Sequence, residues 1–165
     1  MDHEIYILVV EDELEVMDAL VSDLEDFEEK FPIETANSSE EAKKVIDHIY
    51  DSGNEIGLIL CDHVLPGENG VDLLIELQSH ELSKTSRKVL VTGQAGLEDT
   101  IQAINKADLD HYIAKPWTKD ELIKTVIDQL TGFVIERKLN PLKFMAVLDA
   151  TLLAEVLRNN QLTDS

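Results

Sequence analysis

Positive charge is the scarcest resource of this chain. Fourteen Lys and Arg face 34 Asp and Glu over 165 residues, a formal net charge of −20. A field of that sign repels phosphate backbones and anionic membrane surfaces. It argues against direct nucleic-acid binding and against a membrane partner, and it favours a cation or a basic protein surface. Cysteine is nearly absent: Cys61 stands alone, which excludes an intrachain disulfide and fits a reducing, cytoplasmic setting. Aromatic residues make up 5% of the chain against 44% hydrophobic residues overall, so a core of this size must be mostly aliphatic. No apolar run approaches a membrane span. Met1 is followed by Asp2, His3 and Glu4, not by the basic stretch and apolar core of a secretion signal. Internal repeats and low-complexity segments are missing as well.

What is present is an order. Four short apolar runs each end in a reactive polar residue. Tyr6 to Val10 leads to Glu11-Asp12, Ile56 to Leu60 leads to Cys61-Asp62, Lys88 to Val91 leads to Thr92-Gly93, and Tyr112 to Ala114 leads to Lys115-Pro116. Short apolar runs separated by helical patterns read as buried parallel strands. In an open parallel α/β sheet the ligand site lies outside the carboxyl ends of the strands. One crevice should therefore hold three carboxylates, a hydroxyl and an ammonium.

The elements follow from periodicity and caps. Residues 5–10 read as the first strand and Glu13 to about Glu29 as a helix. Ile33 to Ala36 form a second strand, and Ser38 with Glu41 opens a helix as a capping box that Gly53 stops. Ile56 to Asp62 form the third strand, followed by a loop over His63 to Asn69 with a Pro66-Gly67 turn. A helix runs from about Val71. Val89 to Val91 give the fourth strand, Ile101, Ile104 and Ala107 a helix, and His111 to Ala114 the fifth strand. Thr118 with Glu121 caps a helix whose stripe is Leu122, Val126, Leu130 and Phe133. Past Pro141, the spacing of Leu142, Met145, Leu148, Leu152 and Val156 predicts a further helix to about Asn159. Strands alternating with helices imply a parallel sheet with right-handed crossovers and helices on both faces.

Over about residues 4–131 the chain resembles a response-regulator receiver domain of two-component signalling, the CheY-like fold. The resemblance rests on Glu11-Asp12, Asp62, Pro66-Gly67 with Gly70, Thr92 and Lys115-Pro116, five markers in order at strand ends. It implies an α/β, flavodoxin-like, doubly wound five-stranded parallel sheet in the order 2-1-3-4-5. An extra C-terminal helix is added here. The expected division is a receiver over 1–131 and a helical tail over 132–165, docked on its own receiver or serving a homodimer or partner contact.

By the same resemblance Asp62 is the phosphoacceptor and Glu11, Asp12 and Asp62 bind Mg²⁺ together with the backbone carbonyl of Val64. Lys115 pairs with the acceptor and the phosphoryl oxygens, Thr92 donates its hydroxyl to the phosphoryl group, and Tyr112 swings with it as the switch. Pro116 follows a cis bond. The implied partners are a sensor histidine kinase or histidine phosphotransfer protein and a downstream protein target. The module is a phosphoacceptor rather than an enzyme, although it takes part in its own phosphotransfer and dephosphorylation.

Three positions depart from commoner members. Val64 and Gln94 lie two residues beyond the acceptor and the threonine, where family side chains influence attack of water. The Val64 side chain has no group to orient water, although that of Gln94 does, and the expectation is slow self-dephosphorylation. Trp117 makes a Lys-Pro-Trp sequence similar to receivers joined to cyclic-dinucleotide phosphodiesterase domains, but no histidine-rich hydrolase motif follows. Other readings are weaker. A flavodoxin-like cofactor binder needs a phosphate-cradling first loop, and this one begins Glu11-Asp12-Glu13. A haloacid-dehalogenase-type phosphohydrolase needs a second Asp two residues after its nucleophile, where Val64 stands. A degenerate, non-phosphorylated receiver acting as an interaction module would lack a main residue type, and none is lacking. His63 reads as a solvated loop residue and Cys61 as a small core residue.

Overall fold

Five strands carry the fold: β1 (Ile5–Val10), β2 (Ile33–Ala36), β3 (Glu55–Asp62), β4 (Arg87–Thr92) and β5 (His111–Ala114). They pair in parallel in the order β2-β1-β3-β4-β5. The structure is a computed structural model that describes residues 3–93 and 105–163, with side chains described through residue 160. Five α-helices lie among the described residues: α1 (Leu14–Asp23), α2 (Ser39–Asp51), α3 (Gly70–Gln78), α4 (Lys119–Glu136) and α5 (Ala150–Thr163). The helix expected around Ile101 and Ile104 falls outside the described residues. Ala107, expected on its apolar side, is buried.

The sheet is covered on both faces, so its strands need not alternate apolar with polar. Ile5, Ile7 and Val9 of β1 and Leu58 and Leu60 of β3 pack with α1 and α4. Leu8 and Val10, with Ile59 and Cys61, pack with α2 and α3 on the other face. One irregularity interrupts this pattern. The β1–β3 register slips between Tyr6 and Ile7 as Gly57 is passed over. Ile56 therefore shares a face with Ile59 and Cys61, not with Leu58 and Leu60. A bulge of this kind reverses the facing of everything beyond it.

Local chemistry sets the helix starts. Ser38, Asn69 and Thr118 each accept from the backbone N–H three residues on, at 3.1, 2.9 and 3.2 Å. The reciprocal arm of the first capping box reaches one residue further back than expected, with Asn37 N donating to Glu41 Oε2 at 3.3 Å. Gly53 closes α2 at φ +82°, a conformation open to glycine at little cost.

Two helices differ from their expected spans. The first ends at Asp23 rather than near Glu29, because Leu24 N bonds both Leu20 O and Val21 O. The chain tightens into a 3-10 turn over Glu25–Phe27, which turns Phe27 and Phe31 into the core. The last helix begins at Ala150, not at Leu142. A 3-10 turn at Pro141–Lys143 breaks the spacing, so Phe144, Leu148 and Leu153 are buried while Leu142 and Leu152 stay exposed. The buried three join the α1/α4 side of the core, and Phe144 stacks on Phe31 with ring centroids 5.4 Å apart. Among the described residues, no helix is long and apolar enough to cross a membrane.

Candidate functional site

Register assembles the site. Val10 lies opposite Cys61, Asp62 opposite Val91, and Thr92 opposite Ala114. The residues just past these pairs, Glu11, Asp62, Thr92 and Lys115, thus arrive level at one end of the sheet. Lys115 N donates to Thr92 O at 2.9 Å and Glu11 N to Ala36 O at 3.0 Å, so backbone pairing continues into the crevice. The Lys115–Pro116 peptide is cis.

The Lys115 ammonium reaches Glu11 Oε1 at 2.7 Å and Asp62 Oδ1 at 3.0 Å. Glu11 is 1% exposed and Asp62 6%. Two carboxylates this well buried require a compensating cation. Burial by itself would lower the Lys115 pKa. The hydrogen bonds from its ammonium to Glu11 and Asp62 outweigh burial and raise it. Asp12 stands exposed at the rim. Glu11, Asp12 and Asp62 each offer an oxygen, all within 4.8 Å of one another. Such a set of hard oxygen donors suits a small divalent cation.

The loop after Asp62 closes tightly. A Cβ on Gly70 would sit 1.9 Å from Asp62 O, and Gly70 N donates to His63 O at 2.8 Å. Only glycine admits that approach. Thr92 is buried, and its hydroxyl lies 3.5 Å from His63 Nδ1. Val64 projects outward at 60% exposure and Tyr112 at 47%. Trp117 bridges to α1, its Nε1 donating to Asp23 Oδ2 at 2.9 Å. Gln94 lies outside the described residues.

His63 is buried rather than solvated. Both faces of the sheet are covered, so the residue after the acceptor is covered as well. Cys61 is fully buried, and burial with the Asp62 and Glu11 carboxylates pushes its thiol pKa up. A protonated, inaccessible thiol is packing, not redox chemistry. Two further features were not legible in the sequence. Glu68 reaches α2 through Ser39 and Lys43, and Lys88, inside an apolar run, is 1% exposed. Neither lies in a motif, because both depend on contacts between distant elements.

A sheet of this order with an acid–lysine cluster at its carboxyl edge defines a receiver module of two-component signalling. The chain belongs to the response regulator receiver domain family, whose model matches residues 7–127. Among curated proteins it is 34% identical over 125 residues to the hydrogenase transcriptional regulatory protein HoxA of Cupriavidus necator, covering 76% of this chain and 24% of that protein. The Bradyrhizobium diazoefficiens protein of the same name is 32% identical over 132 residues, covering 80% and 25%. The chain thus spans about a quarter of the length of these relatives. Among solved structures, a CheY-like response regulator receiver domain protein from Methanospirillum hungatei superposes with TM-score 0.69 at 29% identity, covering 82% of this chain and 99% of its own. The signal receiver domain of an HD domain-containing protein from Pseudomonas fluorescens shares the fold, with TM-score 0.72 at 22% identity over 84% and 95% of the two chains. Receiver domains are signalling modules rather than enzymes.

Proposed function

We propose that this chain accepts a phosphoryl group on Asp62 from a sensor histidine kinase or histidine phosphotransfer protein, and signals through a protein–protein contact. The observation that carries the reading is the Lys115 ammonium shared between Asp62 and Glu11 beside Asp12. In the transfer, an Asp62 carboxylate oxygen forms a bond to phosphorus as the donor's phosphorus–nitrogen bond breaks, and the donor imidazole leaves with the electron pair. Positioning and charge neutralisation supply most of the catalysis in such a step.

Glu11, Asp12 and Asp62 would hold Mg²⁺, with the Val64 carbonyl as a backbone ligand; the ion supplies charge neutralisation for the phosphoryl oxygens. Lys115 holds the acceptor carboxylate in place through its 3.0 Å contact with Asp62 Oδ1. Its short bond to buried Glu11 fixes the ammonium where phosphoryl oxygens would arrive. Thr92 offers a buried hydroxyl at the same edge, and Tyr112, half-exposed one strand over, can move inward once that hydroxyl turns. A local charge event would then bias a two-state surface.

Val64 points its isopropyl group into solvent and has nothing with which to orient water, which supports a long-lived acyl phosphate. The test is intact-mass analysis after incubation with Mg²⁺ and a small phosphodonor. A single phosphoryl adduct is expected on the wild type and none on Asp62→Asn. Equal labelling of both would overturn the assignment. The adduct is expected to persist for minutes or longer with Mg²⁺ present, and decay within seconds would reject slow self-dephosphorylation.

A further inference from the structure

Residues 63–69 join β3 to α3 and carry Val64 beside the acceptor. The base of this loop is pinned by backbone, through Gly70 against Asp62 O and His63 O, and by Leu65, which is 7% exposed. Its tip turns at Gly67, φ +80°, and is held differently. Glu68 accepts from Ser39 Oγ and from Lys43 Nζ at 3.1 Å, both on α2. Lys43 also meets Glu76 of α3 at 2.6 Å. One lysine thus ties the loop to the helices on either side of it. Burial alone would raise the Glu68 pKa, but the hydrogen bonds from Ser39 and Lys43 outweigh it and lower the value, so the latch holds a carboxylate at neutral pH.

These contacts are a poor stability device. Lys43 and Glu76 are each 40% exposed at the side chain and Glu68 29%, and ion pairs this exposed add little to stability. Their worth is geometric. Ser39, at 4% exposure, gives Glu68 a fixed anchor on a rigid helix. Beyond Glu68 the loop is tied by Asn69, which accepts from Asp72 N at 2.9 Å and caps α3; the latch holds the tip between that cap and Leu65.

We propose that Glu68, Ser39 and Lys43 form a latch that positions the loop beyond Asp62 for divalent-cation binding, making them positioning residues of the phosphoacceptor site. The inference rests on the reading of that site given above. Opening the latch frees the tip of the loop that carries the Val64 carbonyl at its base, without touching Glu11, Asp12 or Asp62.

Calorimetric titration of the full chain with MgCl₂ tests this through Lys43→Met and Ser39→Ala. Dissociation constants should rise about 3- to 10-fold, below the 10- to 100-fold typical of side chains that orient a ligand directly. Thermal midpoints without Mg²⁺ should stay within about 2 °C of wild type. The lysine variant separates geometry from charge. Removing a cation near an acidic site would by electrostatics alone tighten Mg²⁺ binding, whereas a loosened loop weakens it. An unchanged or tighter constant in Lys43→Met, or an unchanged one in Ser39→Ala, overturns the latch while leaving the site intact. A wild type whose Mg²⁺ binding is no stronger than that of Asp62→Asn overturns the site reading itself, and the latch with it.

Discussion

Lys88 shows how far one residue can depart from its sequence context. It opens an apolar run and is 1% exposed, with no carboxylate among the hydrogen-bond partners its ammonium has in the described residues. Its Nζ donates to Gln78 Oε1 at 2.8 Å and to the carbonyls of Ser86, Ser83 and Lys84 at 2.9, 3.2 and 3.5 Å. The lysine thereby gathers the turn between α3 and β4. Burial lowers its pKa to about 8, with Asp110 and Asp108 pulling it back up and Arg87 pushing it down. The unfolded chain releases this proton near 10.5, the folded chain near 8. Between those values the unfolded state binds more protons, so this residue makes stability rise with pH. Urea unfolding of wild type and Lys88→Met from pH 7 to 10 should show the difference moving in favour of wild type as pH rises. A difference that does not change with pH would refute it.

Among the elements, the tail departs most from its sequence pattern. An unbroken helix from Leu142 would have presented Leu142, Met145, Leu148, Leu152 and Val156 on one side. Pro141 and the 3-10 turn reset the phase, and the docked residues became Phe144, Leu148 and Leu153. Asp149 N donates to Thr131 Oγ1 at 3.2 Å, and Leu152 N to Asp149 Oδ1 at 3.0 Å, so one aspartate both ties α5 to α4 and caps it. Phe133 and Val134, at the end of α4, are fully buried. Cutting before them would remove core. Phe144→Ala should cost about 3 kcal/mol, the low end for a buried phenylalanine, through loss of its stack on Phe31. Urea denaturation measures this as a lowered midpoint at unchanged slope, and a loss under about 1 kcal/mol would mean the tail is only loosely docked.

Across the whole molecule, one slip in register decides where the site forms. Counted without the irregularity, Ile5 opposite Glu55 would put Asp12 opposite Asp62. The observed pairing of Val10 with Cys61 instead brings Glu11 level with Asp62. That makes Glu11 the buried partner of Lys115 and leaves Asp12 at the rim. Gly57 permits the slip. A Cβ there would stand 2.7 Å from Ile5 Cγ2 and 3.0 Å from Leu130 Cδ2. Gly57→Ala should therefore destabilise the fold by about 1–3 kcal/mol through overpacking. It should also slow phosphodonor labelling of Asp62, since strain on this register displaces Glu11. Thermal unfolding and the labelling rate check the two halves, and a stable variant with unchanged labelling would refute both.

The sequence by itself determined the class of fold, the order of the elements and the identity of the strand-end residues. Apolar runs, caps and turns are local signals, and a parallel α/β sheet has one reactive edge. Helix starts at Ser39, Gly70 and Lys119 were legible to within a residue because each is fixed by a cap next to it in the chain. Only the tertiary structure decided which acid is buried, that His63 lies against Thr92, that Glu68 is held by α2, and which face the tail presents. Each depends on a register slip, a broken helix or a contact between residues far apart in sequence. Periodicity carries no information about such contacts, because their energy exists only once the elements are packed.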